Sequence, residues 1–169
     1  EEVRFSYCHV FEPSAITEGQ TPKYGVSIII SKKDKKTLDK ITAAIEAAKQ
    51  EGKAKFGGKI PNVMKLPLRD GDEERPDDEA YANSYFLNAS SATQPGIVDE
   101  NRDEIMTKTE FYSGCYGRAS LNFYAFNTAG NKGIAVGLNN LQKLRDGEPL
   151  GGVRTSAADD FADEDDGLS

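Results

Sequence analysis

The segment Cys115-Tyr-Gly-Arg-Ala-Ser-Leu-Asn-Phe-Tyr-Ala-Phe126 constrains this chain most. Side chains of a strand point alternately to opposite faces. Read with that period, one face collects Cys115, Gly117, Ala119, Leu121, Phe123 and Ala125, small and apolar residues suited to a core. The other collects Tyr116, Arg118, Ser120, Asn122, Tyr124 and Phe126. A helix would scatter both sets around its circumference. A long strand is therefore expected here, with one dry face and one mixed face of aromatic, cationic and neutral polar groups.

The rest of the chain supplies partners for that strand. Val3, Phe5, Tyr7, His9 and Phe11 alternate with Arg4, Ser6, Cys8 and Val10, which predicts a second strand with those five aromatic and apolar positions on one face. The turn-rich stretch Glu12 to Pro22 leads into Tyr24-Gly-Val-Ser-Ile-Ile-Ile30, a β-branched run typical of a buried strand. Leu38, Ile41, Ile45 and Ala48 recur at helical spacing, with Ser31 or Asp34 as the cap and Gly52 as the stop. The outer face of that helix carries Lys32, Lys33, Lys35, Lys36, Lys40 and Lys49. Gly52 to Glu79 reads as a long loop region, basic in its first half and acidic in its second. Tyr85 to Ala89 and Gly133 to Leu138 read as further strands, and Leu138 to Leu144 as either a closing strand or a short helical turn. This pattern predicts a mainly β fold: an OB-fold-like five-stranded barrel with one main α-helix and long insertions. A sandwich or jelly roll would give similar strings. Residues 1–150 are expected to form this domain, and 151–169 a disordered acidic tail.

Charge bears on the partner. The chain has 169 residues and a net charge of -7. Of its 28 acids, six (Asp159, Asp160, Asp163, Glu164, Asp165 and Asp166) lie from Thr155 onward with no base among them, which leaves 22 acids against 21 bases in the rest of the chain. A nearly neutral body can carry a basic groove. Two distant cysteines and a single histidine, His9, offer neither a disulfide framework nor a zinc site. No apolar run is long enough to span a bilayer, and the first ten residues do not read as a signal peptide. No membrane partner, no cofactor and no metal are expected, and the setting expected is the cytoplasm.

The mixed strand face suits single-stranded nucleic acid. Any base offers a π-face on which an exposed Tyr or Phe can stack, whatever the sequence. An arginine among such rings can pair with phosphate or stack on a base. Tyr116, Arg118, Tyr124 and Phe126 are the first candidates for the binding face, with Lys108, Tyr112, Lys59, Lys65 and Arg69 on the walls. The plainer alternative is that Tyr and Phe are simply good strand formers on a covered face. The tail, with Phe161 among its acids, reads as a tethered polyanion that can occupy the groove until DNA displaces it and partners take it up. A metal-dependent nuclease is the enzymatic alternative. The acids it would need, Asp70, Asp72, Glu73, Glu74, Asp77, Asp78 and Glu79, cluster in one loop without a rigid support, and no convincing nucleophile–base pair or phosphate-binding Gly-rich loop is present. An acidic DNA mimic or a β-rich structural phage protein is the third class. A mimic would spread its acids over the folded body.

Three stretches carry a family resemblance: Arg4-Phe-Ser-Tyr-Cys-His-Val-Phe-Glu-Pro13, Lys23-Tyr-Gly-Val-Ser-Ile-Ile-Ile-Ser-Lys32, and Tyr112-Ser-Gly-Cys-Tyr-Gly-Arg118 running on to Phe126. Together with the acidic tail they resemble the phage-encoded single-stranded DNA-binding proteins, which pair an elaborated OB-fold with such a tail. The resemblance implies sequence-independent DNA binding in replication, recombination and repair, without catalysis. It also implies tail contacts with DNA polymerase or other replisome proteins. Such tails often finish on an aromatic, whereas this one ends Gly167-Leu168-Ser169. Exposed strand edges make a homodimer a further expectation.

Overall fold

A computed structural model describes residues 2–14, 21–61, 64–128 and 131–150. Strand β1 spans Val3–Ser14 and β2 Lys23–Ser31; helix α1 comes next over Lys35–Glu51. After it stand a 3-10 turn at Lys53–Phe56, the two-residue β3 at Arg69–Asp70, the one-turn α2 at Gly71–Glu74 and a second 3-10 turn at Glu79–Tyr81. Strands β4 (Ser84–Ser91), β5 (Gly96–Val98), β6 (Tyr116–Thr128) and β7 (Asn131–Arg145) complete the chain. The predicted strands and helix are all present. Leu138 to Leu144 continues β7 as a closing strand, and the region after Gly52 is a series of short elements rather than one loop.

The sheet order is β3-β4-β2-β1-β6-β7-β5, with β4 also pairing β7. That last pairing is parallel and closes β1, β2, β4, β7 and β6 into a five-stranded barrel. Within those five strands, antiparallel neighbours and one parallel seam are the strand order of an OB barrel; β3 joins antiparallel to β4 and β5 parallel to β7 as edge additions. The seam is a single bridge, Ser90 opposite Gly137.

The core obeys the period-two pattern. Val26, Ile28 and Ile30 of β2 face inward with Leu87 and Ala89 of β4 and Ile134, Val136 and Leu138 of β7. Phe5 meets Phe111 with ring centroids 5.1 Å apart. Helix α1 is capped by Asp34, whose Oδ1 accepts from the Thr37 amide at 3.2 Å. It buries Ile41, Ile45 and Ala48 against the barrel. Gly52 ends it where a Cβ would overlap that of Ala125, so only glycine lets the helix end lie against β6. Among the described residues no helix is long and apolar enough to cross a membrane.

One alternation fails. Val3 and Phe5 are buried as expected, but Tyr7 and His9 are exposed and Val10 is buried instead. Pairing with β2 shifts register between Ser6 and His9, and Tyr7 has φ 48°. A bulge there inserts one residue and reverses the facing of the later part of β1.

Candidate nucleic-acid interface

The bulge turns the Tyr7 ring out of the barrel, leaving it 49% exposed. Beside it stands Arg75, delivered by the insertion between β3 and β4. The Arg75 amide donates to Gly71 O at 2.9 Å and ends α2. Its guanidinium carbon lies 5.3 Å from the Tyr7 ring centroid, 5.0 Å from that of Tyr81 and 4.9 Å from that of Phe86. Two of those rings are fixed. Tyr81 and Phe86 meet edge-on at 5.1 Å over Ile29, and the Tyr81 hydroxyl donates to Ser27 Oγ at 3.0 Å. Burial is the main reason the Tyr81 phenol is held above its usual pKa, so it stays neutral. Arg75 Nε is buried without a hydrogen-bond partner. Among the described residues the cation is thus held by aromatic faces rather than by carboxylates, which leaves its charge available to an anion.

Arg75 and Tyr7 separate two depressions. The smaller, about 600 Å³, crosses the outer face of β1, β2 and β4. Its lining includes His9, Gly25, Asn88 and Ser90, with Lys23 and Arg75 as its cations and no acid among the described residues. The larger, about 1500 Å³, lies on the other side of β1. It is lined by Arg4, Arg75 and Lys108 but also by Glu12, Glu74, Asp77, Asp78, Glu79 and Glu148. A polyanion is favoured in the first and opposed in the second.

Register extends the smaller depression around the barrel. His9 is opposite Gly25, Gly25 opposite Ser90, Ser90 opposite Gly137, and Gly137 opposite Asn122. Tyr124, 43% exposed, is two residues further along β6 from Asn122. A belt therefore crosses all five barrel strands, with an exposed tyrosine near each end.

The sequence-predicted residues divide. Tyr124 lies on this belt. Arg118 is exposed on the same face of β6 but six residues away, about 20 Å along the strand at ~3.4 Å per residue. Phe126 is half-buried, its ring over Gly133. Tyr116 is half-buried and already engaged, with Arg145 3.9 Å and Arg4 5.1 Å from its centroid, and Arg145 is held by both carboxylate oxygens of Glu2. Tyr112 acts as an anchor. Its hydroxyl contacts Asp146 Oδ1 and Gly147 O, both at 3.0 Å, and accepts from the Gly147 amide at 3.1 Å. Burial raises the Tyr112 pKa, while hydrogen bonds from Lys143 and then Tyr112 lower that of Asp146. Lys108 pairs with Glu12 at 3.2 Å. Arg69 pairs with Glu74 at 2.6 Å and lies 5.6 Å from the Phe86 centroid, close to Arg75. Lys59 is exposed, and Lys65 bonds through its backbone to Lys132 and Ile134 of β7. Asp159, Asp160, Phe161, Asp163, Glu164, Asp165 and Asp166 lie outside the described residues.

Tyr7 and Arg75 were missed by sequence reasoning. Strict alternation put Tyr7 on one face with Val3 and Phe5, and Arg75 sits in the run Asp-Glu-Glu-Arg-Pro-Asp-Asp, where its neighbours cancel its charge. A lone arginine inside an acidic run was the available signal. Those acids do not form a metal centre. Asp70 and Asp72 hold Lys32 Nζ at 2.9 Å, and among the described residues no cluster of His, Cys, Asp or Glu is arranged to hold a metal ion.

Glu148, Pro149 and Leu150 run along the wall of the larger groove. Arg4 Nη2 donates to Glu148 O at 2.7 Å, the Leu150 amide donates to Ser113 O at 3.0 Å, and Leu150 packs on the cluster of Ile29, Tyr81 and Phe86.

A closed OB barrel with a cation- and aromatic-lined depression across its outer strands defines the class of oligonucleotide-binding β-barrels. The chain belongs to the family described as Enterobacter phage Enc34, ssDNA-binding protein, whose model matches residues 1–168. It is similar to the single-stranded DNA-binding protein from bacteriophage Enc34 in complex with ssDNA, with TM-score 0.77 and 26% identity over 89% of this chain and 86% of that one. It is 29% identical over 171 residues to a protein designated p50 of Acyrthosiphon pisum secondary endosymbiont phage 1, covering 95% of this chain and 90% of p50. The fold is also that of gp2.5, a single-stranded DNA binding protein encoded by bacteriophage T7, with TM-score 0.57 and 16% identity over 97% of this chain and 91% of that one.

Proposed function

We propose that this protein binds single-stranded DNA across the outer face of β1, β2 and β4, without base specificity over most of its site and without catalysis. The observation that carries this reading is the depression bounded by Arg75 and Tyr7, which no acid lines among the described residues. Family membership and the Enc34 protein's complex with ssDNA support it. Arg75 and Lys23 attract phosphates, and Tyr7 offers a ring on which a base stacks. Tyr124 extends the path over β6, and Arg118 and Arg69 add positive potential beside it. Tyr116, Phe126 and Tyr112 shape the neighbouring surface rather than stack on bases.

The biological role in this reading is protection of single strands in phage DNA replication, recombination and repair, in the cytoplasm of a bacterial host. The acidic tail competes with DNA for the cationic surface and, once displaced, recruits DNA polymerase or another replisome protein. The chain segment at Leu150 supports this, because the tail starts beside the ring cluster that holds Arg75. Pairing of exposed strand edges into a homodimer belongs to the same proposal.

Fluorescence anisotropy of a labelled oligo-dT strand tests it, with the Tyr7→Ala, Arg75→Gln and Arg118→Ala variants compared at two salt concentrations. Salt-sensitive binding weakened most by the first two supports the β1–β2–β4 face. Undiminished binding by both, with loss in Arg118→Ala, moves the site to β6. Folded wild-type protein that binds no strand defeats the reading.

A further inference from the structure

We propose that the depression between β1 and β4 reads the hydrogen-bonding edge of one base, and that Asn88 is the residue that reads it. This rests on the single-strand reading above and goes beyond it, because stacking and phosphate contacts alone are indifferent to base edges.

The depression is built asymmetrically. Its cations stand at the ends, Lys23 at the start of β2 and Arg75 beside Tyr7, and its middle is neutral. Phosphates belong at the ends and something uncharged belongs between them. Gly25 leaves the floor open, since a Cβ there would press on Ala89 O at 3.2 Å. Spanning from β1 over β2 to β4 crosses two strand spacings, roughly 10 Å, which admits a base lying edge-on.

Among the described lining residues Asn88 supplies the one primary amide. Its cross-strand neighbour Ser27 is buried, and the Tyr81 hydroxyl already donates to its Oγ. Asn88 is exposed on the outward face of β4, and among the described residues its side chain has no hydrogen-bond partner. A primary amide presents a donor and an acceptor side by side. A phosphate only accepts and would leave the amide oxygen unmatched. The Watson–Crick edge of an unpaired base offers the complementary acceptor and donor, and in a single strand that edge is free. Tyr7 on one side supplies the stacking face that holds such a base in place.

The test uses the full chain and two short labelled strands, oligo-dT and its counterpart in which every thymine is replaced by difluorotoluene. That isostere keeps the shape and stacks but cannot form the edge hydrogen bonds. Wild type is expected to bind oligo-dT about three- to tenfold more tightly, the range of one or two net hydrogen bonds. Asn88→Val, which suits an exposed strand position, is expected to bring the two strands to within about twofold by losing affinity for oligo-dT alone. Asn88→Ala provides the same readout independently of the β-branched side chain. Equal binding of both strands by wild type overturns base reading while leaving the single-strand reading intact. A preference retained in both variants overturns the assignment to Asn88. Failure of wild type to bind either strand removes the single-strand reading itself.

Discussion

Tyr7 and Arg75 carry more of the proposed chemistry than any other pair, and each owes its position to a local irregularity. Tyr7 faces outward because β1 bulges at that residue. Arg75 is held by three aromatic rings where a surface arginine would more often meet a carboxylate. Tyr7→Ala is expected to weaken oligo-dT binding by about 1–3 kcal/mol, the range for one stacked base, with little change in salt dependence. Arg75→Gln is expected to lower the slope of log affinity against log salt by about one. An unchanged slope would show that Arg75 meets no phosphate. The cysteines give a prediction of a different kind. Burial pushes the Cys8 thiol up to about 12 and also raises that of Cys115. A raised pKa keeps the thiol protonated, and the thiolate is the reactive form. Both should resist a chromogenic disulfide reagent at about pH 8 until denaturant is added, then react fully. At this scale the sequence was least informative, because a bulge and a ring stack are tertiary facts that residue order does not announce.

Elements were far more legible. The β-branched run from Val26 to Ile30 became the buried β2, and Leu38, Ile41, Ile45 and Ala48 became the inner face of α1, because period and burial agree there. The two faces of the long strand match its sequence pattern, with Cys115 and Ala125 buried and Arg118 and Tyr124 exposed. What its pattern could not say is which outward residues are already occupied. The Tyr116 ring is engaged by two arginines contributed from β1 and the end of β7, both distant in sequence. The insertion after β2 is tied down by Lys32, whose ammonium holds Asp70 and Asp72. Hydrogen bonds from Lys32 lower both carboxyl pKa values below their usual 3.8. A lowered folded-state pKa contributes stability above the ordinary carboxylate value, and that contribution is lost as pH falls through the folded value. The urea midpoint of Lys32→Met should therefore trail wild type at neutral pH and converge on it in acid, once pH has fallen below the lowered folded-state values and the carboxyls protonate in both. A gap that persists in acid would mean that Lys32 acts through its packing on Tyr85 instead.

For the whole molecule, charge distribution matters more than net charge. A total of -7 reads as hostile to DNA, yet six acids sit in the tail and six more (Glu12, Glu74, Asp77, Asp78, Glu79 and Glu148) line one groove. The depression on the other side of Arg75, lined by no acid among the described residues, is what composition alone conceals. A chain ending at Arg154 is expected to bind oligo-dT more tightly than the full chain, with the larger gain at low salt, where a tethered polyanion competes best. Equal affinity at low and high salt would separate the tail from the groove. The barrel's closure has a further consequence. β4 and β7 meet through one bridge, Ser90 with Gly137, whereas β6 and β7 pair along nearly their whole length. Sub-global opening should therefore begin at that seam, with the β4 and β7 amides around it exchanging with deuterium before those of the β6–β7 ladder. Because the belt of outward residues crosses the seam, a bound strand would bridge it and slow that exchange, acting as a splint on the barrel as well as its cargo.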